Sequence, residues 1–167
     1  MDFKKEFDTV PRNNLWNWLE ELKVPFEMWF VARRLYEKVI AKFTSTKGWS
    51  TDINCNIGVK QGCPLFPTIF RIYVNRLEGY LEDAVFVGTV LAGIVITLLL
   101  YIDDVVLMAR CPYDLNKQLG ILKDFCSNMG VTVNNDKNKV MIIKSKRVNY
   151  ASFVFNNSNL EEVTSYK

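Results

Sequence analysis

The chain has 167 residues, 49% of them apolar, and a formal net charge of +3 from 21 basic and 18 acidic side chains. This length suits one domain, or a piece of a larger one, and the apolar content argues against a disordered or fibrous protein. The sequence has no histidine, which excludes Ser-His-Asp and Cys-His nucleophiles and zinc sites with imidazole ligands. Proton transfer near pH 7 would then need carboxylates, lysines or tyrosines with a shifted pKa, or a metal ion.

The first third of the chain is predicted to be two helices and a hairpin. Apolar residues at i, i+3, i+4 and i+7 predict an amphipathic helix over 13–23, which Pro25 ends. A second helix is predicted for about 26–38. Residues 39–59 are typical of two strands, with a turn at Gly48.

The middle of the chain continues with a helix and an uncharged run. Pro67 suits the first turn of a helix over 68–82. Residues 84–102 carry no charge and are rich in β-branched side chains, so they predict two buried strands that turn at Gly93. The run also has the length of a membrane span, which leaves a single-pass membrane protein as an alternative. It ends at two aspartates instead of the Lys or Arg expected beside a cytoplasmic end.

The last part of the chain is predicted to hold an apolar strand over 105–109 and a helix over 113–129 that Gly130 closes. Two more strands, 131–133 and 140–143, flank a polar turn. This order of helices and hairpins predicts an α+β fold, with helices packed on one face of an antiparallel sheet.

The cysteines give no sign of a metal or disulfide framework. They form no CxxC pair, and residues 2–8 are too polar for a secretory signal. We therefore expect a protein that is not exported, with reduced and buried cysteines. The four are Cys55, Cys63, Cys111 and Cys126.

Two groups of carboxylates are the first candidates for chemistry. Asp103 and Asp104 form the tip of a hairpin between apolar runs, where adjacent like charges are unfavourable unless a cation lies beside them. Asp2, Glu6 and Asp8 form the second group. Carboxylates from two separate strands are what a two-metal phosphoryl-transfer site requires. Ordinary turn chemistry and a solvated terminus are the plainer alternatives.

Two further segments are weaker candidates. GVKQGCPLFP at 58–67 leads into a helix N-terminus and suits a phosphate or a stacked base, or is a plain helix-entry turn. NNDKNK at 134–139, with basic residues after it, is either a solvated face or a contact to a phosphate backbone.

In this order, the segments resemble the palm of a reverse transcriptase, most closely those of non-long-terminal-repeat (LINE-like) retrotransposons. The family patterns are D-F-x-K-A-F-D, G-x-x-Q-G-C-P-L-S-P, Y-A-D-D and G-L-x-I-N-x-x-K-T-K. A fifth family motif continues as Y-L-G, and the last segment here resembles its start. The similar segments here are DFKKEFDTVPR (2–12), GVKQGCPLFPTIF (58–70), YIDDVVLMA (101–109), MGVTVNNDKNKVMI (129–142) and LEEVTSYK (160–167).

The resemblance implies a polymerase palm with a ferredoxin-like or RRM-like βαββαβ core. Residues 1–167 would be a fragment of the reverse transcriptase domain, with the fingers and thumb largely missing. We expect it to come from a degraded or split element and to have little or no polymerase activity alone. The strand that delivers Asp2 would lie before Met1, which would leave Asp2 at a chain end that frays.

The resemblance also assigns roles to single residues. Asp2, Asp103 and Asp104 would be catalytic and, with the backbone carbonyl of Phe3, would hold two Mg²⁺ ions, with Mn²⁺ as an alternative. These ions serve the transfer of dNTPs to a primer 3′-OH. Lys137 would act near the leaving pyrophosphate, and Phe7 would exclude a ribose 2′-OH. The positions expected to contact template or nucleotide are Phe7, Lys60, Gln61, Gly62 and Tyr101.

Four residues depart from the family pattern: Glu6, Phe66, Ile102 and Asn138 stand where Ala, Ser, Ala and Thr are usual. The implied partners are an RNA template, a DNA primer and dNTPs, and no membrane is among them. The implied location is inside the cell, in the cytoplasm, the nucleus or both. The alternative from another class is a nucleic-acid-binding remnant of the palm without catalysis.

Overall fold

The computed structural model describes residues 1–60, 62–84, 88–101, 104–143 and 152–165. The helices are α1 (Glu6–Thr9), α2 (Arg12–Glu21), α3 (Phe26–Leu35), α4 (Phe66–Val74), α5 (Arg76–Glu82) and α6 (Pro112–Met129). The strands are β1 (Ile40–Ala41), β2 (Thr44–Ser45), β3 (Gly48–Trp49), β4 (Ile53–Asn54), β5 (Thr89–Leu91), β6 (Ile94–Ile96), β7 (Leu98–Tyr101), β8 (Asp104–Leu107), β9 (Lys139–Met141), β10 (Val154–Phe155), β11 (Ser158–Asn159) and β12 (Glu161–Val163).

The predicted helices are confirmed, with one difference in the middle of the chain. The helix expected over 68–82 is two helices, α4 and α5, which meet at Asn75. Pro67 lies in the first turn of α4, where its missing N–H costs nothing. Gly130 closes α6 in the left-handed conformation with φ 68°, a region that glycine enters without steric cost.

Strand pairing is more fragmented than predicted. In the described part of the chain each named strand has one partner: β1 pairs with β4, β2 with β3, β5 with β6, β7 with β8 and β10 with β11, all antiparallel. The β9–β12 pair is parallel, which the sequence did not indicate. The expected strand 131–133 contributes only an isolated bridge at Val133. A mixed fold of helices and small sheets is therefore found, and the βαββαβ core stays a prediction.

The strands nearest the candidate site have one face on the core and one exposed face. Along β7 the side chains of Leu98 and Leu100 are partly buried, whereas Leu99 and Tyr101 are exposed. Val105 of β8 is buried at 1% exposure. The core also takes in apolar residues of the helices, among them Leu15, Leu19, Phe70, Tyr73, Leu77, Leu122, Phe125 and Met129.

Polar bonds connect the helices around this core. The hydroxyl of Tyr73 on α4 donates to the carbonyl of Met129 at the end of α6, and burial raises the Tyr73 pKa to about 12. The indole N–H of Trp18 on α2 donates to the Ile72 carbonyl at 2.9 Å. Tyr80 meets Phe125 edge to face, with ring centroids 5.5 Å apart. Helices α2, α4, α5 and α6 are therefore held to one another by specific contacts as well as by burial.

The hairpin in the uncharged run forms as predicted, but its strands are not buried. It turns at Ala92 and Gly93, and β5 and β6 pair with each other in the described part of the chain. Val90 and Val95 are more than half exposed, and among the described strands none pairs with the hairpin from outside. Among the described residues no helix is long and apolar enough to cross a membrane.

The cysteines are free, but burial is confirmed for Cys126 alone; Cys55 and Cys63 are half-buried and Cys111 is exposed. Burial raises the pKa of the Cys126 thiol to about 12, and the thiolate is the reactive form.

We expect a thiol reagent at pH 8 to label Cys111 rapidly and Cys126 only on unfolding in urea. Peptide mapping after timed labelling measures this, and rapid native labelling of Cys126 would contradict the packing of α6.

Candidate active site

Asp2 lies in a short extended segment between two other parts of the chain. On one side Val105 N–H donates to the Met1 carbonyl at 2.9 Å, and Asp2 forms an isolated antiparallel bridge with Asp104. On the other side Phe3 forms a bridge with Val133. These contacts tie Asp2 to the rest of the fold on both sides, although Asp2 and Phe3 form isolated bridges and not a named strand. The expectation that the strand delivering Asp2 begins before Met1 stays a prediction.

The bridge places the Asp2 and Asp104 carboxylates on the same face. The neighbouring residues Met1 and Val105 exchange two hydrogen bonds with each other on one side of this pair. In such a non-hydrogen-bonded antiparallel pair the two side chains stand close together, with Cβ atoms about 4.5–5.5 Å apart. Tyr101, which pairs with Asp104 across β7 and β8, lies on this face and is 74% exposed. Two like charges facing each other are unfavourable unless a cation lies beside them.

Lys137 supplies one such cation. Its ammonium lies 2.7 Å from Oδ2 of Asp2. The Lys137 side chain is 66% exposed, whereas that of Asp2 is 13% exposed. Because the lysine is largely solvated, this ion pair contributes little to stability. Its long flexible side chain can turn from Asp2 towards another anion.

The backbone of Asp2 is fixed by two asparagines that the sequence analysis did not single out as functional. Asn134 N–H donates to the Asp2 carbonyl at 2.8 Å. The Asp2 N–H donates to Oδ1 of Asn138 at 3.2 Å. Asn138 is 2% exposed. Asparagine is common in turns, so neither residue stood out within the polar segment 134–139.

Phe3 anchors the same segment from below. Its side chain points opposite to that of Asp2 because successive residues of an extended chain alternate. It is 2% exposed and meets Phe70 of α4 edge to face, with centroids 6.4 Å apart. The depth of Asp2 is thus set by the packing of its neighbour in the core.

A second surface is organised by Arg12. Its guanidinium donates to the carbonyls of Gly58, Tyr36 and Ile57 at 2.7, 3.1 and 3.2 Å. Gly58 N–H in turn donates to the Val10 carbonyl at 2.9 Å. These bonds hold the segment 57–60, which includes the first three residues of the G-x-x-Q-G motif, against the segment that follows Asp2.

Lys60 and Gly62 lie beyond this clamp. Lys60 is exposed and lines a cavity of about 330 Å³ together with Asp8 and Arg12. Gly62 has φ 79°, so a residue with a side chain would be strained there. Phe7 lies in α1. Asp103, Gln61 and the side chains of Phe7, Glu6 and Phe66 lie outside the described residues.

The residues present fit a divalent cation with oxygen ligands. Asp2 and Asp104 offer adjacent carboxylates on one exposed face, as Mg²⁺ or Mn²⁺ requires. Within the described ranges no group of three or more His, Cys, Asp or Glu residues could hold a metal. Asp103, the third predicted ligand, is not among those residues.

Comparison with known proteins decides the family. The family model described as "Reverse transcriptase (RNA-dependent DNA polymerase)" matches residues 1–155. The chain belongs to the reverse transcriptase family. It is also 28% identical, over 138 residues, to the retrovirus-related Pol polyprotein from the type-2 retrotransposable element R2DM of Drosophila melanogaster. The match covers 82% of this chain and 13% of that polyprotein. The resemblance to non-long-terminal-repeat reverse transcriptases is confirmed, and members of the family generally use divalent metal ions.

Arg12 gives a stability prediction for this reverse transcriptase segment. We expect Arg12→Ala to cost about 2–3 kcal/mol of unfolding free energy, because hydrogen bonds from a charged donor to three carbonyls are lost, two of them partly buried. Arg12→Lys should recover less than half, since one ammonium cannot replace the planar fork of donors. Urea denaturation measures both, with the exposed Arg110→Ala as control. Equal midpoints for Arg12→Ala and Arg110→Ala would contradict the clamp.

Proposed function

We propose that this chain carries the catalytic carboxylates of an RNA-directed DNA polymerase from a retrotransposon. The observation that supports the proposal most is the pairing of Asp2 with Asp104 on one exposed face. Two carboxylates held side by side by a β-bridge are ligands that suit divalent cations, and nucleotidyl transfer uses such cations. Family membership gives this ligand set its reaction.

The proposed reaction is in-line attack of a primer 3′-OH on the α-phosphorus of a dNTP, with pyrophosphate leaving. Asp2, Asp103 and Asp104, with the Phe3 carbonyl, are the proposed ligands of two Mg²⁺ ions, and Mn²⁺ is the alternative. When bound, the ions lower the pKa of the attacking hydroxyl and balance the charge that develops on the phosphates. No imidazole is needed, which agrees with a sequence without histidine.

The other residues have proposed roles in binding and proton transfer. We propose that Lys137, whose ammonium contacts the Asp2 carboxylate, neutralises or protonates the leaving pyrophosphate. Phe7 is proposed to select deoxyribose. Lys60, Gln61, Gly62 and Tyr101 are proposed to contact the template or the incoming nucleotide. The proposed template is RNA and the proposed primer is DNA. The proposed location is the cytoplasm, the nucleus or both.

An RNA-templated primer-extension assay with Mg²⁺ tests the proposal on the purified chain. We expect weak incorporation of dNTPs that requires a divalent cation and a complementary template. A metal-binding titration with Mn²⁺ accompanies it, because the chain spans a small part of the polyprotein that it matches. Nucleic-acid binding that is unchanged by Mg²⁺ and by loss of the aspartates, without Mn²⁺ binding, would favour a non-catalytic module.

A further inference from the structure

The side chain of Asn138 is buried in an orientation that its contact with Asp2 dictates. An N–H group needs an acceptor, so the oxygen of the Asn138 amide must face the Asp2 N–H, and the NH₂ group must face the other way. That NH₂ group is buried and has no hydrogen-bond partner among the described residues. Leaving a buried donor unpaired is unfavourable, because the group loses its hydrogen bonds to water and gains none in the protein.

The reason for this contact lies in the turn between Asn134 and Asn138. In a regular antiparallel pair the Asn134 carbonyl would accept the Asp2 N–H, since Asn134 N–H already donates to the Asp2 carbonyl. A 3₁₀ turn at Asn135–Lys137 follows, and Lys137 N–H donates to that Asn134 carbonyl at 3.2 Å. The chain therefore leaves the pairing one bond early, and the side chain of Asn138 replaces the missing acceptor.

We propose that Asn138 is a positioning residue for the Asp2 carboxylate. It completes the backbone bonding of Asp2 and so fixes the depth and register of Asp2 opposite Asp104, while the adjacent Lys137 meets the carboxylate itself. Asn138 touches no reacting atom and acts through Asp2. This inference rests on the proposed function, because it gives the Asp2–Asp104 pair its fixed geometry as a cation site.

A matched pair of variants separates the hydrogen bond from packing. Asn138→Thr keeps an oxygen that can accept the Asp2 N–H and removes the unpaired NH₂ group. Asn138→Val has nearly the same shape as threonine but no acceptor. We expect the Asp2 amide, observed by NMR hydrogen exchange, to exchange at least tenfold faster in the valine variant than in the threonine variant. The amide of Leu122 in the core serves as an internal control for global unfolding.

Mn²⁺ affinity is the readout that a merely structural residue would not move. Partners that orient a ligand typically contribute 10–100-fold to metal affinity. We expect Asn138→Val to bind Mn²⁺ 10–100-fold more weakly than the native chain and Asn138→Thr to bind within about threefold of it. Equal affinity for the valine and threonine variants would overturn the positioning role.

The two proposals fail in different ways. If the native chain binds no Mn²⁺, or binds it equally after loss of Asp104, the proposed function fails, and amide exchange at Asp2 still decides whether Asn138 fixes that residue. If the native chain binds Mn²⁺ through Asp104 but exchange at Asp2 is the same in both Asn138 variants, only the positioning role is overturned. If the Leu122 amide also exchanges faster in the valine variant, both variants are measured again at a lower temperature. Equal acceleration of the Asp2 and Leu122 amides at that temperature also counts against the proposal.

Discussion

Asp104→Asn is expected to reduce primer extension strongly and to weaken Mn²⁺ binding while leaving the fold intact. The substitution keeps the size of the side chain but removes one charge, and one unit charge near a cation contributes about 1–4 kcal/mol. Mn²⁺ affinity should therefore fall roughly tenfold or more. Any extension should fall on the order of 10²-fold or more, because the metal ions supply several kcal/mol of charge stabilisation. Isothermal titration and a gel-based extension assay measure the two effects.

The control for this prediction is a carboxylate of the same kind on another surface. Asp124 is exposed on α6 and lies outside the proposed ligand set. Asp124→Asn should leave Mn²⁺ affinity and extension within about twofold of the native chain, and both variants should unfold within about 0.5 kcal/mol of it. A loss of the same size in both variants would show that general surface charge, and not the Asp2–Asp104 pair, attracts the ion.

Much of the helical structure could be predicted because its signals are local. Pro67 and Gly130 mark a helix start and a helix end through their own backbone restrictions, and the apolar spacing of α6 needs no partner to be seen. The strands were harder to predict. Leu99 and Val106 are apolar, yet each is about half exposed. By composition, the strands around the aspartates therefore resemble strands that are buried on both faces. Alternation between faces is invisible when both faces carry apolar side chains.

The candidate site was predictable as a set of carboxylates but not as an arrangement. Resemblance to the family named Asp2, Asp104 and Lys137, which the structure brings together. The bonding of Asp2 depends on Asn134 and Asn138, more than 130 residues away in sequence, and no local pattern encodes a contact of that range. Asn138 could be noticed only as a departure from the usual threonine, and the departure becomes meaningful once the Asp2 N–H is seen to need an acceptor.

Phe70→Ala is expected to have the largest effect on stability, and it connects the core to the site. Phe70 is 1% exposed, and its ring packs edge to face with Phe3. Removing a buried phenylalanine ring costs about 3–5 kcal/mol, since the apolar burial is lost and a cavity remains. Urea denaturation should show this loss. Phe43→Ala, which removes a 67% exposed ring, should stay within about 0.5 kcal/mol of the native chain.

The same substitution should also loosen Asp2 under conditions where the chain remains folded. Phe3 and Asp2 are neighbours whose side chains lie on opposite faces of one extended segment. Without the Phe70 ring beside it, Phe3 is less tightly packed, and the whole segment can move. We expect faster amide exchange at Asp2 and weaker Mn²⁺ binding in Phe70→Ala, with Phe70→Leu intermediate because it fills part of the space. If Phe70→Ala cost less than about 1 kcal/mol, the packing beneath Asp2 would not be what holds the carboxylate at the surface. A site of this kind depends as much on the buried side of the segment that carries Asp2 as on its charged side.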